Sequence, residues 1–244
     1  MIPQAFVMGR VCADLYPLQY EVPLEDVRTF EKFVGGFAGN VATGLARLNV
    51  RTAIISGVGD DGHGRFIRRF LAGEGVDVTW LRTHPTLRTA LAFCEVWPPD
   101  RFPITFYRTP TCPDWELRPE DLPLALLPAA PLLYVTGTGL AREPSRSATV
   151  AAMERRAGPA ASAGDRQDAR PWVPATILDL DWREVLWDRA ADYAEAGASS
   201  PPRGWTRQRR SRSARGWWWS SAGRTARRSW TAPARATCPG CRCR

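Results

Sequence analysis

The chain has 244 residues, 44% of them hydrophobic, and a formal net charge of +8, which allows one α/β domain with an ordinary core or two small ones. The charge is divided unevenly: residues 199–244 hold twelve Arg and no Lys, Asp or Glu, a net +12, so residues 1–198 carry −4. That mildly acidic body excludes a uniformly basic nucleic-acid-binding domain, and no apolar run approaches the roughly 18 residues of a membrane span.

In chain order, residues 5–12 (AFVMGRVC) read as a buried first strand ending at Asp14. A carboxylate there either starts a loop or stands at the ligand edge of an α/β sheet. Residues 15–33 carry Pro17, Pro23 and isolated aromatics, which predicts a strand or flap outside the main sheet. Next come Gly35, Gly36 and Gly39, then Asn40 and an apolar period at Val41, Leu45 and Leu48. This is a sharp turn into a helix over about 40–48, whose first amides can face a ligand. Asn49 follows, where left-handed geometry is wanted.

Residues 52–56 (TAIIS) predict a strand, residues 57–64 (GVGDDGHG) a second glycine-rich turn, and Phe66, Ile67, Phe70 and Leu71 one helical face closed by Gly73 and Gly75. A further strand is expected over 76–81. This alternation predicts a parallel α/β sheet. It breaks at residues 89–97 and 104–108, which read as an antiparallel pair forming a lid or a small side sheet. The main sheet resumes at 132–136, Ser145 caps a helix to about 156, residues 158–174 form a surface loop and 176–180 another buried strand. Asp179, Asp181 and Arg183 then lie near the presumed ligand edge, before a short helix over about 188–196.

The first 14 residues lack a basic leader followed by a long apolar segment, so a cytoplasmic protein is expected. Cys12, Cys94 and Cys112 show no framework spacing and are expected as free buried thiols. The two histidines, His63 and His84, have no second ligand at a metal spacing, so no protein metal ligand is assigned.

Neither glycine turn fits a Walker A or dinucleotide pattern. Their joint spacing, through Gly35, Gly36, Asn40 and Ala42 and then Gly57, Gly59, Asp60 and Gly64, with Asp14 after the first strand, resembles the PfkB or ribokinase-like sugar kinases over about residues 5–198. Within that family FVGGFAGNVATGLARL, RFPITFYRTPTCPDWEL, TGTGLAREPSR and LDLDWREVLW are most similar to 5-dehydro-2-deoxygluconokinases, which phosphorylate a keto-deoxy sugar acid of myo-inositol breakdown.

The resemblance implies a three-layer α/β/α domain over residues 1–198, with a mainly parallel sheet and a small β lid from about 15–34 and 87–108. It implies a sugar site in which Asp14 accepts hydroxyl hydrogen bonds, Gly35 and Gly36 allow close backbone approach, and Asn40 donates and accepts. Tyr107 and Arg108 would meet a substrate carboxylate, and Arg183 is either a phosphate-side contact or a surface ion pair. ATP with Mg²⁺ is the implied cofactor, the metal riding on phosphate and water. A homodimer through the lid is the implied assembly.

The family keeps its catalytic aspartate in a late Gly-Ala-Gly-Asp segment, and the 244 residues contain none. No catalytic residue is therefore assigned, and phosphoryl transfer is expected to be impaired. Residues 199–244 contain no Leu, Ile, Val, Met, Phe or Tyr, so they are expected to be disordered and to build no strand. A shift of reading frame accounts for them: Trp217, Trp218 and Trp219 would become valines in another phase, and the coding DNA beyond Ala198 tests this. The alternatives are a non-catalytic sugar-binding remnant and a basic-tailed nucleic-acid-interacting protein, whose Arg and Trp clusters would bind phosphates and stack bases. A CxxCxC at Cys238, Cys241 and Cys243 is too short of ligands to define a zinc site.

Overall fold

The computed structural model describes residues 2–157, 174–181, 183–187, 206–209 and 217–220. Five strands form the parallel part of the main sheet: β1 (Ala5–Met8), β4 (Thr52–Gly59), β5 (Leu81–His84), β8 (Leu132–Thr136) and β9 (Ala175–Asp179). Their spatial order is β9-β8-β1-β4-β5. A second sheet is made of β2 (Cys12–Pro17), β3 (Phe30–Gly35), β6 (Leu91–Cys94) and β7 (Ile104–Tyr107) in the order β3-β2-β6-β7. Its two outer pairs are antiparallel and its central pair parallel.

Alternation of side chains along the buried strands builds three layers. Phe6 and Met8 of β1 pack with Ala53, Ile55, Leu133 and Val135 towards Ala148, Ala152 and Met153 of α3 (Ser145–Ala157). Val7, between them in sequence, packs on the other face with Ile54, Ala38 and Ala42 of α1 (Phe37–Arg47), and Ile67 and Leu71 of α2 (Gly62–Gly73). The expected parallel α/β sheet with helices on both faces is thus observed, as is the hairpin: Leu91 lies opposite Tyr107 and Cys94 opposite Ile104.

Several expectations need correction. The first strand ends at Met8, because the backbone turns at Gly9 (φ +146°) and Cys12 already belongs to the lid sheet. Helix α1 starts at Phe37, three residues before the expected Asn40, with Gly36 at its N-cap. Residues 76–81 do not form the next strand: Asp77 makes one bridge to Ala53, and β5 begins only at Leu81. Val76 is buried in the core nonetheless, and the true strand is polar because it is the sheet's edge. Beyond β9, β10 (Thr206–Arg209) and β11 (Trp217–Ser220) add an antiparallel pair, with Trp218 opposite Asp179. The expectation that this stretch builds no strand is corrected: aromatic residues favour extended backbone, and β9 offers an otherwise unpaired edge. The loop expected over 158–174 falls almost wholly outside the described residues, as do the helix expected over 188–196, the rest of the 199–244 stretch and its cysteines.

Asn49 has φ 61°, as expected of the residue after α1. Cys12, Cys94 and Cys112 are free and buried. No helix among the described residues is long and apolar enough to cross a membrane.

Candidate active site

The chain passes from main sheet to lid through Arg10 and Val11, then enters β2, which carries Asp14. Asp14 lies opposite Phe33 of β3 and Ala92 of β6. A Cβ added at Gly35 would run into the Asp14 carboxylate, so only glycine lets that backbone close on the acid. Gly36 has φ +83°, and a Cβ there would stand 2.6 Å from the Arg10 carbonyl oxygen. The Ala38 amide donates to that same carbonyl at 3.1 Å. The first glycine turn therefore folds onto the exit of β1 and seats the start of α1 beside Asp14.

Cys12 Sγ donates to Asp14 Oδ1 at 3.0 Å. Burial raises the Asp14 pKa, while the Cys12 hydrogen bond and the Arg10 charge pull it back. The Cys12 thiol is pushed well up by burial and by the Asp14 charge, against the opposing pull of Arg10 and Arg108.

Arg10 escaped the sequence reading, although a charged residue inside the apolar run AFVMGRVC was the available signal. Its Nη2 donates to Asp181 Oδ2 at 3.1 Å, and its guanidinium stands 5.1 Å from the centre of the Phe106 ring on β7. The other oxygen of Asp181 lies 3.4 Å from Nε of Arg183, whose side chain is 46% exposed. Of the two carboxylates expected near the ligand edge, that of Asp179 accepts from the Asp181 backbone amide at 3.0 Å, while that of Asp181 faces the arginines.

Arg108 is buried beside Trp115, its guanidinium 4.3 Å from the ring centre, and donates from Nη2 to Asp114 Oδ2 at 2.6 Å. Its Nε and Nη1 find no acceptor. Tyr107, by contrast, is 58% exposed and packs edge-on against Phe93 at 5.2 Å. Strand alternation separates the two residues expected to act together: Phe106 and Arg108 go inward, Tyr107 outward. Asn40 also stands apart. It is exposed on the first turn of α1 and lines a groove with Lys32, Val34, Arg47 and Phe66, a groove that Asp14, Gly35 and Arg108 do not line.

The second glycine turn is closed by the protein itself. Asp61, the N-cap of α2, accepts from the His63 and Gly64 amides at 2.9 and 2.8 Å and from the Thr89 amide at 2.7 Å. Thr89 Oγ1 donates to the same carboxylate at 2.9 Å and accepts from the Gly59 amide at 2.9 Å. The amides that an anion would use are occupied, and Asp61 instead anchors the segment leading into β6. The carboxylate of Asp60, the residue of the spacing motif, makes an exposed pair with Arg65 at 3.3 Å. His84 Nδ1 accepts from the Leu87 amide at 3.1 Å. Among the described residues, no group of three or more His, Cys, Asp or Glu comes together to hold a metal.

This arrangement, a carboxylate pressed on a glycine backbone beside the buried Arg10, with the buried Arg108 acting on the neighbouring Cys12, suits a polyhydroxylated ligand with an anionic group. The family model for the pfkB family carbohydrate kinases matches residues 3–168. The 5-dehydro-2-deoxygluconokinase of Bacillus velezensis is 34% identical over 188 residues, covering 77% of this chain and 53% of that protein. The corresponding figures for the Geobacillus kaustophilus 5-dehydro-2-deoxygluconokinase are 35%, 77% and 52%. The chain thus spans about half the length of the curated relatives it matches. Among solved structures, a sugar kinase from Pyrococcus horikoshii in complex with ATP superposes with a TM-score of 0.67 at 23% identity, covering 79% of this chain and 58% of its own. A PfkB protein from Polaromonas sp. JS666 gives 0.67 at 24% identity, covering 80% and 61%. From the first glycine turn to the lid, fold and sequence agree, and the chain belongs to the pfkB family of carbohydrate kinases.

Proposed function

We propose that residues 2–187 form the sugar-binding side of a kinase for a keto-deoxy sugar acid of the 5-dehydro-2-deoxygluconate type, as in myo-inositol catabolism. The observation that carries this reading is the half-buried Asp14 carboxylate, closed against Gly35 and under the charge of Arg10, with Arg108 acting on its hydrogen-bond partner Cys12. An ionised carboxylate only accepts, so Asp14 would take hydrogen bonds from sugar hydroxyls while Gly35 and Gly36 let the ligand approach the backbone. Arg108 presents Nε and Nη1 to the ligand's carboxylate, and Arg183, half exposed at the ends of the strands, stands on the phosphate side.

ATP would supply the transferred phosphoryl group when bound, with Mg²⁺ carried by its phosphates and water. Transfer needs a base to take the proton of the attacking hydroxyl, and the sequence holds no Gly-Ala-Gly-Asp segment. The chain in this form therefore binds the sugar acid and turns it over poorly in the cytoplasm. Tyr107, outward on the lid's edge strand, suits contact with the lid of a second copy.

The test is an ATP-dependent phosphorylation assay with 5-dehydro-2-deoxygluconate, 2-keto-3-deoxygluconate and fructose, run beside titration calorimetry. Binding of a keto acid with negligible turnover is expected. Vigorous turnover overturns the inference drawn from the missing aspartate, and absence of any sugar binding overturns the site.

A further inference from the structure

Arg10 and Arg108 are the two buried basic side chains among the described residues. Each is bonded to a single carboxylate oxygen through Nη2, Arg10 to Asp181 and Arg108 to Asp114. Arg10 Nε and Arg108 Nε and Nη1 are buried without an acceptor. Buried donors of a charged group are costly to leave unmade, so three such nitrogens in one region imply an acceptor that the protein itself does not provide.

The register brings these groups together. Asp14 lies opposite Ala92, and Ala92 lies opposite Phe106, so Asp14 and Phe106 belong to one row across the lid. The Arg10 guanidinium rests on the Phe106 ring at 5.1 Å. Arg108 follows Phe106 by two residues, on the same inward side. Asp181 is shared between Arg10 and Arg183.

We propose that Arg10 and Arg108 form one anion subsite beside Asp14, and that Arg10 is the residue by which this pocket selects a sugar bearing a carboxylate over a neutral sugar. The proposal rests on the sugar-site reading above and adds to it a specificity residue. Asp14 reads hydroxyls, which acid and neutral sugars share. The guanidinium of Arg10, fixed by Asp181 and Phe106, reads the charge. A planar guanidinium suits this task because its orientation is set before the ligand arrives.

The experiment measures equilibrium binding to the full 244-residue chain by calorimetry, with 2-keto-3-deoxygluconate, its primary amide and fructose as probes. The unaltered chain is expected to bind the acid about 10-fold or more tightly than the amide, the usual scale for hydrogen bonds to a charged group. Arg10→Met is expected to remove most of that preference and leave fructose affinity within about twofold, while Asp14→Asn weakens all three ligands. Equal affinity for acid and amide, or a loss in Arg10→Met that is the same for acid and fructose, overturns the proposal and leaves the sugar site standing. Failure of the unaltered chain to bind any of the three overturns both. Should Arg10→Met not fold, judged by circular dichroism, Arg10→Lys takes its place and is expected to narrow the acid-to-amide ratio, because an ammonium lacks the planar fork; an unchanged ratio overturns the proposal.

Discussion

Arg10 Nη2 donates to Asp181 Oδ2 at 3.1 Å across a separation of 171 residues, with both side chains nearly inaccessible, at 6% and 4% exposure. The bond joins the exit of β1 to the end of β9, two strands that do not touch each other because β8 lies between them. Breaking a buried pair by removing one partner leaves an uncompensated charge, at a cost of about 3–5 kcal/mol. Asp181→Ala is therefore expected to lose about that much stability in urea unfolding. Arg183→Ala, which removes the half-exposed partner of the same carboxylate, is expected to lose less than about 1 kcal/mol. Equal losses would show that the exposed pair with Arg183, and not the buried one with Arg10, accounts for what Asp181 contributes.

Asp14 is held against its own ionisation. Its folded pKa is raised by burial, so the folded state binds the proton more tightly than the unfolded chain. The stability this confers is fully present below the unfolded carboxylate range and is lost as pH rises through the raised folded value. Asp14→Asn is accordingly expected to melt at a higher temperature than the unaltered protein at pH 7. The difference shrinks towards pH 4, while sugar affinity falls about 10-fold or more at pH 7. Thermal melts across pH 4 to 8 check the first part; a variant less stable at neutral pH would contradict it.

Asp61 behaves in the opposite sense. Burial works to raise its pKa, but the bonds from the Thr89 and Gly64 amides, the Thr89 hydroxyl and the His63 amide prevail and lower it. Its stabilising effect is present above the unfolded carboxylate range and is lost as pH falls through the depressed value. Asp61→Ala is expected to cost about 2 kcal/mol at pH 7, from the lost cap and the hydrogen bonds to Thr89. Amide exchange at Thr89 and in the first turn of α2 should quicken in that variant.

Two glycines of one helix should respond with opposite signs. Gly36→Ala places a Cβ at φ +83° and within 2.6 Å of the Arg10 carbonyl oxygen, and is expected to destabilise by about 1–3 kcal/mol. Gly44→Ala, inside α1 with nothing within 4 Å, is expected to stabilise by about 0.5–1 kcal/mol. Denaturant midpoints of the two variants, measured side by side, test the contrast.

Much of the architecture could be read before the structure. The periods of α1, α2 and β4 are local, and Asn49 announces its own left-handed backbone. The lid hairpin could be read because Pro98, Pro99 and Asp100 leave no room for a helix between two apolar runs. What escaped depends on contacts far apart in sequence. Val76 looks like a strand residue because it is buried, but β5 starts five residues later, where the pairing Ser56 opposite Leu81 fixes the register. The second glycine turn resembles a ligand cradle until Asp61 is seen to fill it from within. Arg10 shows in sequence only as a misfit in an apolar run; its partners Phe106 and Asp181 are about a hundred and more residues away. Tyr107 and Arg108 are adjacent in the chain, and the two-residue repeat of a strand is what parts them.

The lid is joined to the body at four places: before Cys12, after Gly35, before Leu91 and after Tyr107. Next to three of them the structure sets a pin, namely Arg10 on Asp181, Gly36 against the Arg10 carbonyl, and Thr89 on Asp61. A surface held in this way loses little conformational entropy when a ligand arrives, in contrast to a single-stalk flap that must be ordered by what it binds. On the proposed reading, affinity for this pocket follows its polar contacts closely, so single substitutions at Asp14, Arg10 and Arg108 weigh those contacts one at a time.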